Sequence, residues 1–216
     1  MRCPRAAKYK YVDKMKEAPS AAMERGTRIH KLAEDYLNRS IGQLPVELSK
    51  LPCEFKKLRG QPVKYIEQGW AWKKGWSETD WKDWSGAWVR VKIDAMYINE
   101  QYNAAVVIDH KTGKFRESDK AKYDAQLELS CLAALKKFPT VEVATPRNWY
   151  IDEGVVYPDP EVLEVEFFRK DVPRLEEKWN ELVKPMLTDT EWEPTPSESA
   201  CQFCSFSKLK GGPCKY

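Results

Sequence analysis

Histidine is scarce in this chain, at two residues in 216, and no Ser/His/Asp spacing of a serine-type hydrolase occurs. A glycine-rich phosphate-binding loop is missing as well, which argues against a P-loop nucleotide site. No apolar run approaches the roughly 20 residues a helix needs to cross a bilayer. The first twenty residues carry charges throughout and lack the apolar segment of a secretory leader, so the expected setting is cytoplasmic, away from membranes. Nor is charge of one sign in excess: 36 basic against 33 acidic residues leave a formal net charge of +3. Affinity for nucleic acid would therefore have to come from a local patch, not from the whole field. Internal repeats are absent. The length suits one domain over 1–216, large enough to bury a good core, with 195–216 as a cysteine-bearing tail.

The most informative segment that is present reads V-R-V-K-I-D94-A-M-Y-I-N-E-Q-Y-N-A-A-V-V-I-D109-H-K111-T-G-K. Two β-rich runs flank Asn99–Asn103, a polar stretch suited to a hairpin. Side chains alternate along a strand, so Asp109 and Lys111 share a face, as do Trp88, Arg90, Lys92 and Asp94 on the preceding run. Pairing the runs brings two carboxylates and an ammonium to one place. Cleavage of a phosphodiester calls for such groups. A hard cation held by carboxylates polarises the phosphoryl oxygen and lowers the pKa of a bound water, and a lysine stabilises developing charge. The plain alternative is a hairpin with a surface Asp and Lys, since short motifs recur by chance.

Residues 26–37, G-T-R-I-H-K-L-A-E-D-Y-L, place Ile29, Leu32, Ala33, Tyr36 and Leu37 on one helical stripe, with Thr27 as the expected N-cap. His30 and Glu34 lie one turn apart beside that stripe; a histidine at the edge of the core is the plain reading. Residues 118–138 form a strong helix signal that carries Tyr123, Gln126 and Ser130. Cys201, Cys204 and Cys214 crowd the last sixteen residues as C-Q-F-C-S-F-S-K-L-K-G-G-P-C, and Cys3 lies at the opposite end. In a reducing compartment C-x-x-C with further cysteines reads as a metal or iron–sulfur site, not a disulfide framework. Cys53 and Cys131 read as ordinary small buried residues.

Asp94 followed by Ile108-Asp109-His110-Lys111 resembles the signature of the PD-(D/E)XK nuclease superfamily, and the context IDHKTGK is similar to its RecB-like branch. Gly26-Thr-Arg-Ile-His30-Lys-Leu-Ala-Glu34 looks like the G-x-x-I/V-H-x-x-x-E motif of that branch, and Gln126 like its Gln-x-x-x-Tyr, although Ser130 stands where the tyrosine would be and Tyr123 is the available substitute. The resemblance implies a restriction-endonuclease-like α/β fold, a central mixed sheet flanked by helices. It implies Mg²⁺ or Mn²⁺ bound by His30, Asp94, Asp109 and the backbone carbonyl of His110, with Lys111 acting on the water and Gln126 contacting the site. Relatives with one cysteine before the nuclease core and three after it bind a [4Fe–4S] cluster; carried over, its ligands are Cys3, Cys201, Cys204 and Cys214, joining the two termini, with zinc as the alternative. A link from residue 3 to residue 201 closes nearly the whole chain and would stabilise by about 5 kcal/mol. The implied activity is a DNA exonuclease of phage-type replication or recombination; a CRISPR-adaptation nuclease and a non-catalytic DNA-binding module are the alternatives.

For substrate contact the sequence offers Arg90, Lys92 and Tyr123, and Trp88 from a segment holding six of the nine tryptophans, Trp70 to Trp88. Covering the sheet is the plainer use of those rings. Other basic clusters are Arg2, Arg5, Lys8 and Lys10, and Lys56, Lys57 and Arg59. Glu67 is a further carboxylate within reach. Strands are expected at 148–151 and 162–168, and a helix over 171–187 with Leu175, Trp179, Leu182, Val183 and Met186 on one stripe.

Overall fold

The computed structural model describes residues 3–17, 20–117, 120–159 and 165–216 and, of Met186 and Leu187, the backbone only. The chain divides into two compact units, Glu24–Glu177 and Met1–Met23 with Lys178–Tyr216.

The larger unit is built on a mixed sheet with strand order β2-β1-β3-β4-β5-β6, with β7 pairing β5. Its strands are β1 Lys64–Trp72, β2 Glu78–Thr79, β3 Val89–Asn99, β4 Ala104–Lys111, β5 Val143–Tyr150, β6 Val155–Tyr157 and β7 Phe167–Phe168. All neighbours are antiparallel except β4 and β5. A parallel pair needs a crossover, and α4, Lys120–Lys137, supplies it. β3 and β4 form the expected hairpin, with Asn99 opposite Ala104. One core joins Ile29, Ala33, Tyr36 and Leu37 of α2 (Ala21–Leu37) to Phe55 and Leu58 of α3 (Pro52–Gly60) and to Ile66, Ala95, Ile108 and Trp149 of the sheet. Leu127, Cys131, Leu132 and Leu135 bury one side of α4, so helices flank a central mixed sheet.

Four local expectations change. The helix over 26–37 starts earlier, at Ala21, so Thr27 lies in its interior, and the Ser20 hydroxyl accepts from the Met23 amide (3.2 Å). Gly26, just before the expected N-cap, also lies inside. Cys53 is exposed, because Phe55 and Leu58 take the inner face of α3; Cys131 is buried as expected. The strand at 148–151 extends to Val143–Tyr150, whereas of 162–168 only Phe167–Phe168 is strand and residues 162–164 lie outside the described residues. The C-terminal helix α5 runs Val172–Thr188 with Leu175 and Trp179 buried, but Leu182 is 58% exposed at the stripe's edge, and the Met186 side chain lies outside the described residues. Ser118, at the expected start of α4, and Arg2 also lie outside them.

The smaller unit holds α1 (Pro4–Ala7), a π-helical stretch Lys8–Val12 and α6 (Glu198–Cys201). Tyr9 packs on Phe206 with ring centroids 5.5 Å apart, and Ser197 caps α6 by accepting from the Ala200 amide.

Candidate metal-dependent active site

The sheet register places four polar residues on one rung. Ile66 faces Ala95 and Gln68 faces Ile93, which sets Glu67 opposite Asp94. Ala95 faces Ile108, so Asp94 is next to Asp109, and Asp109 faces Asn148. Glu67 sits mid-strand with φ 52°, a left-handed conformation that costs a non-glycine residue about 1–3 kcal/mol and is tolerated where surroundings enforce it. Its carboxylate is 13% exposed.

His30, next to the buried Ile29 and one turn before the buried Ala33, reaches this rung from α2. Its Nδ1 lies 3.2 Å from Asp94 Oδ1 and 3.6 Å from Glu67 Oε1, and its Nε2 lies 3.0 Å from the His110 carbonyl oxygen. Asp94 Oδ2 accepts from the His110 amide at 2.7 Å. A ring nitrogen of His30, a carboxylate oxygen of Asp94 and a ring nitrogen of His110 also lie within 4.8 Å of one another. The His110 ring itself turns into the core against Phe55 and Trp149; burial depresses it to about 4, so it stays neutral. Its backbone carbonyl, facing His30, is the better oxygen donor for a hard cation.

Asp109 stands slightly apart from that trio, in a clamp. Gln126 of α4 donates from Nε2 to Asp109 Oδ1 (2.6 Å) and accepts from Lys111 Nζ at Oε1 (2.8 Å). Lys111 Nζ also lies 2.6 Å from Asp109 Oδ2 and 4.4 Å from the centre of the Tyr123 ring. The Ser130 hydroxyl, where a tyrosine was expected, donates to the Gln126 carbonyl (3.0 Å), while Tyr123 backs the lysine. All six residues read from the sequence, His30, Asp94, Asp109, His110, Lys111 and Gln126, gather here. Glu67 joins them, and its signal was only a carboxylate in a β-rich run.

The electrostatics separate the two aspartates. Burial, with the Asp94 charge behind it, pushes the Asp109 carboxyl up to about 6 against the pull of Lys111. Burial raises Asp94 most, but its hydrogen bonds with His30 and the His110 amide and the attraction of the two histidines together outweigh this and hold it below the ordinary carboxylate value. His30 is raised to about 10, by its hydrogen bond to Asp94 first and to Glu67 second. A protonated imidazole therefore stands among oxygens of the kind a divalent ion would take.

The sequence profile of the PD-(D/E)XK nuclease superfamily matches residues 1–209. The chain belongs to that superfamily. Membership implies phosphodiester hydrolysis assisted by Mg²⁺ or Mn²⁺, and the donor set suits it: carboxylate, carbonyl and imidazole. No curated protein matches the chain. One solved structure, that of SSO0001, aligns over 100% of this chain and 83% of its own with 18% identity and a TM-score of 0.40, a likeness too distant to argue from.

In the smaller unit Cys3, Cys201, Cys204 and Cys214 line one cavity with Ala6, Tyr9, Pro194, Pro196 and Phe206. All four thiols are free and half-buried. Burial raises the Cys3 thiol, but hydrogen bonds from Thr195 and from the Ala6 and Arg5 amides outweigh it and leave it below the ordinary value. Four thiols converging in an apolar pocket, Cys3 among them leaning toward thiolate, are the donor chemistry of a soft-metal site.

The expected nucleic-acid contacts divide. Lys92 is paired with Glu67 at 2.5 Å. Lys8 and Lys10 are paired with Asp13 and Glu17, each at 2.8 Å. Arg59 donates to the Ile41 and Gly42 carbonyls. Trp88 is half-buried edge-on against Trp76, centroids 5.3 Å apart. Arg90 instead stacks on Trp84, which is 74% exposed. No helix among the described residues is long and apolar enough to cross a membrane.

Proposed function

We propose that this PD-(D/E)XK protein is a RecB-like deoxyribonuclease, an exonuclease of the phage replication and recombination type, folded as one nuclease domain. The observation that carries the reading is the single rung holding Asp94 and Asp109, faced by His30 on one side and by the Lys111–Gln126 clamp on the other. His30, Asp94, Asp109 and the His110 carbonyl would hold Mg²⁺ or Mn²⁺, which when bound polarises the phosphoryl oxygen and acidifies a water. Asp94, kept ionised, serves as the permanent carboxylate ligand. His30 must release its proton to offer a nitrogen. Lys111, oriented by Gln126 and Tyr123, places a positive charge where the phosphoryl oxygens become more negative. Asp109, whose carboxyl is raised to about 6 in the metal-free protein, would give up its proton to take the ion.

The four cysteines are proposed to hold a [4Fe–4S] cluster that ties Cys3 to the C-terminal segment and acts structurally. Anaerobic purification with an absorption spectrum and metal analysis tests this, followed on the same sample by Mn²⁺- and Mg²⁺-dependent cleavage of end-labelled single- and double-stranded DNA. About four irons per chain with metal-dependent cleavage supports both parts, while zinc replaces the cluster assignment. Absence of cleavage with every metal sinks the nuclease in favour of a DNA-binding module.

A further inference from the structure

The tryptophan-rich loop between β2 and β3 leaves one ring conspicuously out of the packing. Trp76 is buried, and Trp81 lies flat on the backbone of Gly69, where an added Cβ would fall 2.8 Å from its ring. Trp84 is 74% exposed. The loop backbone beside it is nevertheless anchored. Asp83, just before it, accepts from the Thr79 hydroxyl (2.8 Å) and the Gly86 amide (2.7 Å). Its backbone carbonyl accepts from Arg90 Nη2 (2.8 Å) and the Trp81 carbonyl from Arg90 Nε (3.1 Å). The Arg90 guanidinium carbon lies 3.9 Å from the centre of the Trp84 ring. Among the described residues Arg90 meets carbonyls and rings, not carboxylates, so its positive charge is not cancelled. Lys82 of the loop and Lys73 and Lys74 before it are exposed.

An exposed indole on an anchored loop, backed by an unneutralised cation, suits a flat apolar ring joined to an anion. A nucleotide base that is not paired in a duplex has that form. The loop's fixed geometry lowers the entropy lost on binding. Arg90 and Asp94 lie four residues apart on β3, about 13 Å along the strand, a span of about two to four nucleotides.

We propose that Trp84, backed by Arg90, is a stacking platform for a base of an unpaired DNA strand whose backbone is cut at the Asp94–Asp109 rung. This rests on the nuclease reading for the cut, and it assigns single-stranded DNA, or a frayed end, as the substrate form.

The test is fluorescence anisotropy of a labelled single-stranded oligothymidine and a labelled blunt duplex, with the full chain and no divalent metal added. Trp84→Ala should weaken single-strand binding about tenfold and duplex binding less than about twofold, with Trp84→Phe close to wild type. Arg90 keeps its carbonyl partners in these variants, so the loop should stay formed; an unchanged circular dichroism melt checks this. A scan of abasic positions should find one whose loss weakens wild-type binding by a similar factor and leaves Trp84→Ala unaffected. Equal losses on both DNAs, no loss, or no sensitive abasic position would overturn the platform. A wild type that cuts DNA indifferently to Trp84 removes the platform alone. A wild type that binds single strands through Trp84 but cuts nothing removes the nuclease and keeps the platform.

Discussion

The unit Glu24–Glu177 and the unit of Met1–Met23 with Lys178–Tyr216 are held together by different physics. In the first, α2, α3 and the sheet bury Ile29, Leu37, Phe55, Ile66, Ala95 and Ile108 in one continuous apolar core, which is where most of a domain's stabilisation arises. In the second, apart from the end of α5, the helices are short, and among the described residues the cysteine end buries little beyond Ala7, Phe206 and Ser207. Such a segment lacks enough apolar surface to offset its chain entropy. A core can support polar strain within it, whereas a tail of this kind needs a cross-link. The four thiols lining one cavity are where the proposed cluster would supply it.

The sharpest way to separate the units is Asp109→Asn. Cleavage should fall by about 10²–10³-fold or more, yet the metal-free protein should not be destabilised. A carboxyl raised to about 6 is easiest to bury when protonated. Its contribution to stability is complete below the ordinary value near 3.8 and is lost as pH rises through about 6. Removing the ionisable group should therefore raise stability at pH 7 by about 1–2 kcal/mol, read by urea melts at pH 4 and 7. A lower stability at pH 7 would show that the site is not the strained part of its unit.

Cys204→Ser attacks the other side. Proteolytic nicking should appear within 1–23 and 178–216 while 24–177 stays resistant, with about 5 kcal/mol of the cross-link's stabilisation lost. Nicking spread evenly over the chain would erase the contrast. Glu67→Gln is milder: by loosening His30 it should weaken Mn²⁺ binding about 10–100-fold, measured by titration calorimetry. The smallest effect is on pH. His30 is raised to about 10, so its contribution to metal-free stability is present below about 6.5 and is lost as pH climbs through 10. His30→Gln should flatten that part of the melting-temperature profile.

Much of the larger unit was legible because local periodicity and chemistry agree there. The alternation through Asp94, Asp109 and Lys111 placed the hairpin and its shared site, and Gln126 followed from its helix. Glu67 was nearly invisible, since its role depends on a left-handed backbone and a strand register that no short pattern encodes. Gly26 hid the first turns of α2: a glycine inside a helix costs only about 1 kcal/mol, and Arg25 beside it is held by Asp152. Trp88 and Trp84 have the same chemistry in the sequence, and only packing against Trp76 tells the half-buried ring from the exposed one.

The parallel pairing of β4 and β5 has a consequence for biosynthesis. Asp94 and Asp109 share a hairpin, a local contact that a nascent chain can form soon after Lys111 emerges. Gln126, which orients both Asp109 and Lys111, arrives only when the crossover helix docks and β5 takes its place beside β4. Non-local parallel contacts close late. A chain still on the ribosome can therefore bring its two aspartates together before its lysine is aimed, and the rung stays incomplete until the residues through Tyr150 have folded around it.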